Sequence, residues 1–551
     1  VAVAATGAAL APWARLLHVL PWGADATKWT GRAAQADAWH WIFLRKHFVG
    51  YRPVTALSFA VNQALTGFEA WGYRATDFGL WAACLGLLLA VYRRWFGGAA
   101  GLAAVAAVAL CHPVLEEVVP FPSRRSYLLA AAFGLAGLLL HDRALASGGR
   151  SRAAWSLATG AAMLLAVGSN EVAYVFLPLV ALRAALERPA GAAWTTLPTA
   201  AALAAGVASR WWVLGSVSGG YQKRYFAVVR NHVAMWMELQ EWEPVRIALA
   251  QARYLFVPNG PGAEGPLAPQ GWPQDLLAAA LAAWVVAAAV AAPAADRSLR
   301  RRWLLAAWLA GSAAIVVLSQ TWFWRQAWSL LLPLALLAGD VVASAVSDRR
   351  WWARLLAVGP LALLVTSAPY GALLGAHLGP HAGAVRGTAL VEAVEGAGVP
   401  PTPARVFLGV AEPRHTAQIA RLWLDRRAGH QGRHAVLTTL NARGVPTRAR
   451  HTLTRDGKAR WLALTPGLSW ATEDWVRPLL EDRRLRVDGL WRRPGRAGVM
   501  RTWLVLVDRD GVRVEELFEP ASGKILPERR RPASEDEVDD ELPDGVTPPG
   551  P

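Results

Sequence analysis

GGAAGLAAVAAVALCHPVLEEVVPFPSRRSYLLAAAFGLAGLLLH (97–141) decides the fold of this chain. It is two apolar runs, 97–112 and 126–141, joined by a short loop that carries Glu116, Glu117, Arg124 and Arg125. Two adjacent carboxylates where an apolar run ends are costly to keep at a membrane mouth, so they mark a functional site. Similar runs recur at 75–93, 154–168, 172–186, 195–213, 275–292, 303–319, 327–345 and 355–375. Runs of about 17 to 25 apolar residues are long enough to cross a bilayer. The first residues, VAVAATGAALAPWA, read as the outer half of a further helix, the alternative being the remnant of a signal peptide. The chain of 551 residues is 54% hydrophobic, with a mean hydropathy of +0.25. It reads as a polytopic α-helical membrane protein with about 11 transmembrane helices.

The net charge of +17 suggests a polyanion as partner, but its placement argues against nucleic acid. Arg93 and Arg94, then Arg143, Arg150 and Arg152, then Arg183 and Arg188 occupy alternate loops. The series continues with Arg297 and Arg300 to Arg302, and then with Arg349, Arg350 and Arg354. Such asymmetry puts these loops in the cytoplasm. HPVLEE (112–117), the turn Ser169–Glu171, the loop 214–272 and everything after 376 then fall outside, in a cell membrane of bacterial type. Cys84 and Cys111 both lie in apolar spans and read as packing residues.

Residues 1–375 thus form the membrane domain. Its first outer loop, 20–73, holds WHWIFLRKHF (39–48), suited to the headgroup level. Val54, Leu57, Val61, Leu65 and Phe68 then recur at helical spacing, which predicts an interfacial helix with Pro53 in its first turn and Gly67 at its end. In the loop 214–272, Tyr221 to Arg253 reads as helical. A Gly/Ala/Pro-rich linker (376–403) leads to a small α/β domain, 404–530. There RVFLGVA (405–411) and RWLALTP (460–466) read as strands, and TAQIARLWLDRRA (416–428) as a helix. TWLVLVDRDGVRVEELF (502–518) reads as a hairpin about a DG turn. The acidic tail 531–551 has little to bury and reads as disordered.

Carboxylates and guanidinium groups together at a membrane face are what a reaction on a charged, lipid-linked substrate needs. A carboxylate accepts the proton of an attacking hydroxyl, and arginine forks stabilise a departing phosphate. Asp25 is the candidate base, with Asp37 its near rival and plain solvation of the loop its alternative. Glu116 and Glu117 point different ways, so one of them faces the site. His112 is a site residue or a cap before Pro113, and Glu171 an active-site acid or half of an ion pair. Arg52, Arg125, Arg210 and Arg325 are the outer arginines nearest span ends, each a phosphate ligand or a snorkelling side chain. No phosphate-cradling glycine loop, zinc-spaced Cys/His set or nucleophile elbow is present.

With these residues in place, the chain resembles the GT-C type glycosyltransferases, in particular the protein O-mannosyltransferase-like branch that includes the transmembrane-and-TPR enzymes. The matching words are YRPVTALSFAVNQALTG (51–67), GYRATD (72–77), ALCHPVLEEVV (109–119), SRRSYLLAA (123–131) and SNEVAYVFLP (169–178), in that order. The resemblance covers about residues 20–345. It implies transfer of a sugar from a polyprenyl-phosphate donor to an extracytoplasmic protein, glycan or lipid hydroxyl. It puts the family's first acidic motif on Asp25, its helix-end acid on Glu116, its loop arginine on Arg125 and its turn acid on Glu171. It admits a divalent cation, Mg or Mn, without requiring one. Departures are the unpaired Asp25 between Ala24 and Ala26, Arg74 for His, Asp77 for Asn, Asn170 for Lys, and a soluble region in place of TPR repeats.

Two other readings compete with a glycosyltransferase. A lipid-glycan flippase predicts charges inside spans, where Asp340 is the nearest example. A non-catalytic assembly factor, binding partners through its outer domain, is favoured by the lone Asp25.

Overall fold

The computed structural model describes residues 38–45, 51–67, 69–112, 114–119, 121–187, 192–215, 296–319 and 327–347. It also describes six strands between 404 and 516 and a few isolated positions. Asp25, Arg325, the loop 214–272, the linker, the acidic tail and the expected spans 275–292 and 355–375 lie outside these residues. The chain divides into two units, 1–388 and 389–551.

The first unit is helical. The outer loop supplies α1 (Ala38–Leu44) and α2 (Pro53–Thr66). Proline opens α2, where its missing N–H costs nothing, and the helix ends at Gly67, as the sequence predicts. The longer elements follow as α3 (Ala70–Trp95), α4 (Ala99–Cys111), a single turn α5 (Leu115–Val118), α6 (Arg125–Ala146) and α7 (Gly149–Ser169). Then come α8 (Phe176–Glu187), α9 (Ala192–Leu214), α10 (Asp296–Ser319) and α11 (Ala327–Ser347). Among the described residues, three helices are long and apolar enough to cross a membrane: α3, α6 with its leading 3₁₀ turn, and α11. α4 is only 13 residues, about 20 Å, and too short to cross alone. The expected span 172–186 is split into a 3₁₀ turn, Glu171–Val175, and α8.

α6 packs along α7 and α3, α7 along α9, and α11 along α4 and α10. The α4–α11 contact runs through two glycines. A Cβ on Gly101 would stand 2.7 Å from the Gly339 carbonyl oxygen, and one on Gly339 would stand 2.9 Å from that of Gly101. With no hydrophobic drive between helices in lipid, such close backbone approach is how they gain contact. The centre of the unit is filled by large apolar groups, with Trp308 edge-on to Phe176 at 5.1 Å.

Charges inside the helices are more numerous than the sequence reading allowed. Asp340, singled out there, is met by Arg302 Nε at 2.5 Å. Asp142 accepts from Arg183 Nε at 3.0 Å and from Trp95 Nε1 at 2.7 Å. Asp77 lies within the expected span 75–93 and is paired with Arg125. Among the described residues each of these three acids is met by an arginine from a neighbouring helix, so these groups tie helices together. The Asp142 and Asp340 pairs sit where α3, α6, α8 and α11 end and α10 begins, the end that the arginine-rich loops share. Arg300 also donates to the Leu186 carbonyl there.

In the second unit, β1 (Ala404–Val410) lies parallel to β2 (His434–Thr438) and β5 (Arg501–Asp508), and β6 (Gly511–Glu516) runs antiparallel to β5, in the order β2-β1-β5-β6. Asp508 pairs with Gly511, so the hairpin connection is 509–510, one residue before the expected DG turn. The strand expected at 460–466 is β4 (Lys458–Ala463). It pairs with β3 (Arg450–Arg455) in a separate two-stranded sheet. Of the helix expected over 416–428, only Trp423 and Leu424 are described, both buried.

Candidate functional site

The words that carry the family resemblance meet at one end of the helical unit. α2 crosses the ends of three helices. Thr55 Oγ1 donates to the Ser169 carbonyl at the end of α7 (2.9 Å), Ser58 and Asn62 face Arg125 at the start of α6, and Asn62 Nδ2 donates to Gly72 and Thr76 at the start of α3. Asn170 closes the set. Its Oδ1 accepts the Val172 N–H and its Nδ2 reaches Ser126 Oγ at 2.9 Å. Asn170 thus caps the 3₁₀ turn that delivers Glu171, a task that lysine could not perform.

Glu171 is held between two arginines. Arg52 approaches with Nε at 3.0 Å and a terminal nitrogen at 2.9 Å from Oε2, while Arg210, from the end of α9, bonds Oε1. Burial pushes the carboxyl up, but the two guanidiniums outweigh it and hold the group down at about 2. Two arginines thus converge on one carboxylate. Arg210 is 2% exposed, and its Nε is buried with no partner among the described residues; the same is true of the Tyr174 hydroxyl, whose ring lies 5.9 Å from the Arg210 Cζ. Gly50 lets the chain pass beside the cluster, since a Cβ there would stand 2.7 Å from Glu171 Oε1.

His47 sets the approach of Arg52. Its ring is buried among Trp29, Trp41 and Tyr51, with stacked centroids at 5.5 and 5.8 Å and an edge contact at 5.2 Å. Nδ1 accepts the Arg52 backbone N–H at 2.9 Å, and Nε2 then donates to the Trp41 carbonyl at 2.9 Å. Both bonds are satisfied only by the neutral ring. Burial, aided by the Arg52 charge, keeps it so by lowering the pKa to about 4 against the opposing pull of the Trp41 bond and Glu171. Nothing in the spacing of WHWIFLRKHF marked His47; its signal is the aromatic company of the run.

Arg125 is fully buried, with its donors engaged by neighbouring helices. Nε donates to Asp77 Oδ1 at 2.5 Å, one terminal nitrogen to Asn62 Oδ1 and the Ser58 carbonyl, and the other to the Tyr73 carbonyl at 2.8 Å. Its Cζ lies 4.4 Å from the centre of the Phe59 ring. A phosphate would have to displace these acceptors, and the geometry makes Arg125 the tie among α2, α3 and α6. The departure at Asp77 has its reason here, as the counter-charge of a fully buried arginine. His112 closes α4 and is also buried, and its Nδ1 accepts the Val114 N–H at 3.1 Å. Glu116 and Glu117 fall on the one-turn α5. The structure does not describe their side chains. Among the described residues no three His, Cys, Asp or Glu side chains converge to hold a metal.

No protein-family description and no curated protein matches this chain in sequence. Among solved structures it is similar to ArnT from Cupriavidus metallidurans bound to undecaprenyl phosphate, with a TM-score of 0.49 and 15% identity over 95% of this chain and 99% of that one. The apo form of the same protein gives 0.46 and 16%, over 79% and 85%. The oligosaccharyltransferase of Archaeoglobus fulgidus, tethered with an acceptor peptide, gives 0.42 and 10%, over 81% and 64%. At such scores these likenesses carry no part of the functional reading.

Proposed function

We propose that the chain is an integral membrane glycosyltransferase of the GT-C type. It takes a sugar from a polyprenyl-phosphate donor and transfers it to a hydroxyl of a protein, glycan or lipid outside the cytoplasm. The observation that carries this reading is the Arg52–Glu171–Arg210 cluster, with the Arg210 Nε and Tyr174 hydroxyl beside it unpartnered among the described residues. An oxyanion that enters there meets donors without a partner among the described residues, and charge-assisted bonds to arginine are among the strongest available. Three of the family-like words build that cluster and its supports.

In the reaction, the acceptor oxygen forms a bond to the anomeric carbon as the carbon–oxygen bond to phosphate breaks. The hydroxyl proton passes to the Asp25 carboxylate, with Glu116 assisting, and the leaving polyprenyl phosphate gathers negative charge at Arg52 and Arg210. Arg325 is assigned to the same headgroup. A divalent cation, where one takes part, would draw on Asp25 and Glu116. The soluble second unit and the cluster belong to the extracytoplasmic side, opposite the arginine-rich loops. A mannosyl donor is the branch-level expectation.

Binding of a polyprenyl phosphate to the purified protein tests the ligand of the cluster. Arg52→Gln and Arg210→Gln each weaken it by about 10-fold or more, the worth of a charge-assisted bond. Unchanged affinity in both variants removes the cluster from the reading.

A further inference from the structure

The tryptophans of the first outer loop divide by burial. Trp39 is 70% exposed, whereas Trp29 is 2% exposed and its neighbours Thr30 and Ala33 are buried with it. Positions 29, 30 and 33 share one side of a helical turn while Arg32 is exposed, so this short segment is docked by that side. The Trp29 ring lies nearly parallel to Phe59 of α2, 12° off at 5.5 Å. It also stacks on His47 at 5.5 Å and meets Trp41 edge-on at 5.7 Å. We infer that Trp29 is a positioning residue: it pins the opening of the first outer loop to α2 beside the Arg52–Glu171–Arg210 cluster, and so holds Asp25 within reach of the donor phosphate. This rests on the glycosyltransferase reading proposed above.

The anchor is one ring away from Arg52. His47, which Trp29 covers, accepts the Arg52 backbone N–H at 2.9 Å, and Arg52 in turn holds Glu171. Phe59, the second partner of Trp29, is fully buried and has the Arg125 Cζ 4.4 Å from its ring centre. Asp25 lies outside the described residues, but chain length bounds its place. It precedes Trp29 by four residues, and a chain advances at most about 3.6 Å per residue, so the two Cα atoms stay within about 14 Å of each other. Ala26, Thr27 and Lys28 between them offer no large apolar group, which makes Trp29 the first anchor after the acid. Asp37, the rival acid, directly precedes α1 and is tied by the burial of Trp41 and Ile42 instead. Trp29 therefore bears on Asp25 more than on Asp37. Neither hydrogen bond of His47 involves Trp29, so Arg52 keeps its setting when that ring is removed.

Turnover of a polyprenyl-phosphate sugar by the full chain in detergent, with polyprenyl-phosphate binding measured beside it, tests the role. A base misplaced by about 1 Å can cost about 100-fold, so Trp29→Ala should lower kcat by about 10- to 100-fold. Affinity for polyprenyl phosphate should stay at the parent value, and Trp29→Phe, which keeps a ring for Phe59 and His47, should recover most of the rate. Unchanged kcat in Trp29→Ala, or losses of rate and affinity in step with a lower melting temperature, overturn the inference. A parent chain without turnover would defeat the enzyme reading, and a distance measurement then decides the docking by itself. Spin labels at Ala26→Cys and Leu57→Cys, in a Cys84→Ser, Cys111→Ser background whose melting matches the parent, should give one narrow distance distribution. Trp29→Ala should broaden it several-fold and Trp29→Phe should leave it narrow. A distribution already broad with Trp29 in place, or equally narrow in Trp29→Ala, overturns the inference. Trp29→Leu takes the place of Trp29→Ala in both measurements where the alanine variant does not fold.

Discussion

Arg125 and Asp77 form an ion pair at 2.5 Å in which neither side chain has any exposure. The arginine also reaches Asn62 and the carbonyls of Ser58 and Tyr73, so one guanidinium joins three helices. Breaking a buried pair from one side leaves an uncompensated charge. Asp77→Ala should destabilise the protein by about 3–5 kcal/mol, seen as a lower melting temperature in detergent. The double variant Asp77→Ala, Arg125→Leu should recover part of that loss. A double variant as unstable as the sum of the two singles would mean that the pair does not act as a unit.

The floor of the cluster is set by a glycine. In Gly50→Ala the new methyl would stand 2.7 Å from Glu171 Oε1, so the carboxylate must move away from Arg52 or Arg210. Overpacking of this kind costs about 1–3 kcal/mol. The effect should be larger on polyprenyl-phosphate affinity than on the melting temperature, and equal losses in Gly50→Ala and in a remote control would argue against it.

Acid should weaken the fold in two stages of the same sign. His47 is neutral when folded, with its pKa lowered from 6.5 to about 4, so between those values the unfolded chain binds the extra proton. Its contribution is complete above pH 6.5 and is lost as pH falls towards 4. Glu171, lowered from 4.5 to about 2, contributes fully above pH 4.5 and is lost as pH falls towards 2. Melting temperature followed against pH should therefore drop in both windows. His47→Asn, which keeps an acceptor for the Arg52 N–H, should flatten the upper window alone.

The sequence made the helical architecture legible because apolar runs and arginine-rich loops are local, one-dimensional signals. Pro53 and Gly67 bounded α2 for the same reason. Who pairs with whom was not legible. Arg125 looked like an outer arginine open to phosphate, and only the crossing of α2 over α3 and α6 shows its acceptors. Glu171 was open between an ion pair and an active-site acid, and the structure shows it in contact with Arg52 and Arg210, 119 and 39 residues away. Arg210 was one of several outer arginines, and its place beside Glu171 comes from the packing of α7 on α9. The stripe of α2 was legible as one apolar face, and the structure leaves Leu57, Val61 and Leu65 of it exposed, while the burial of Phe59 on the other face was not legible.

Donor turnover by the purified protein tests the glycosyltransferase reading most directly. Polyprenyl-phosphate sugars are supplied and release of polyprenyl phosphate is followed, with Asp25→Asn and Glu116→Gln beside the parent chain. The parent should turn over at least one donor, and Asp25→Asn should slow it by about 100- to 10,000-fold, the usual worth of a general base. Full activity in Asp25→Asn would contradict the assignment of the base, and no turnover of any donor would contradict the enzyme.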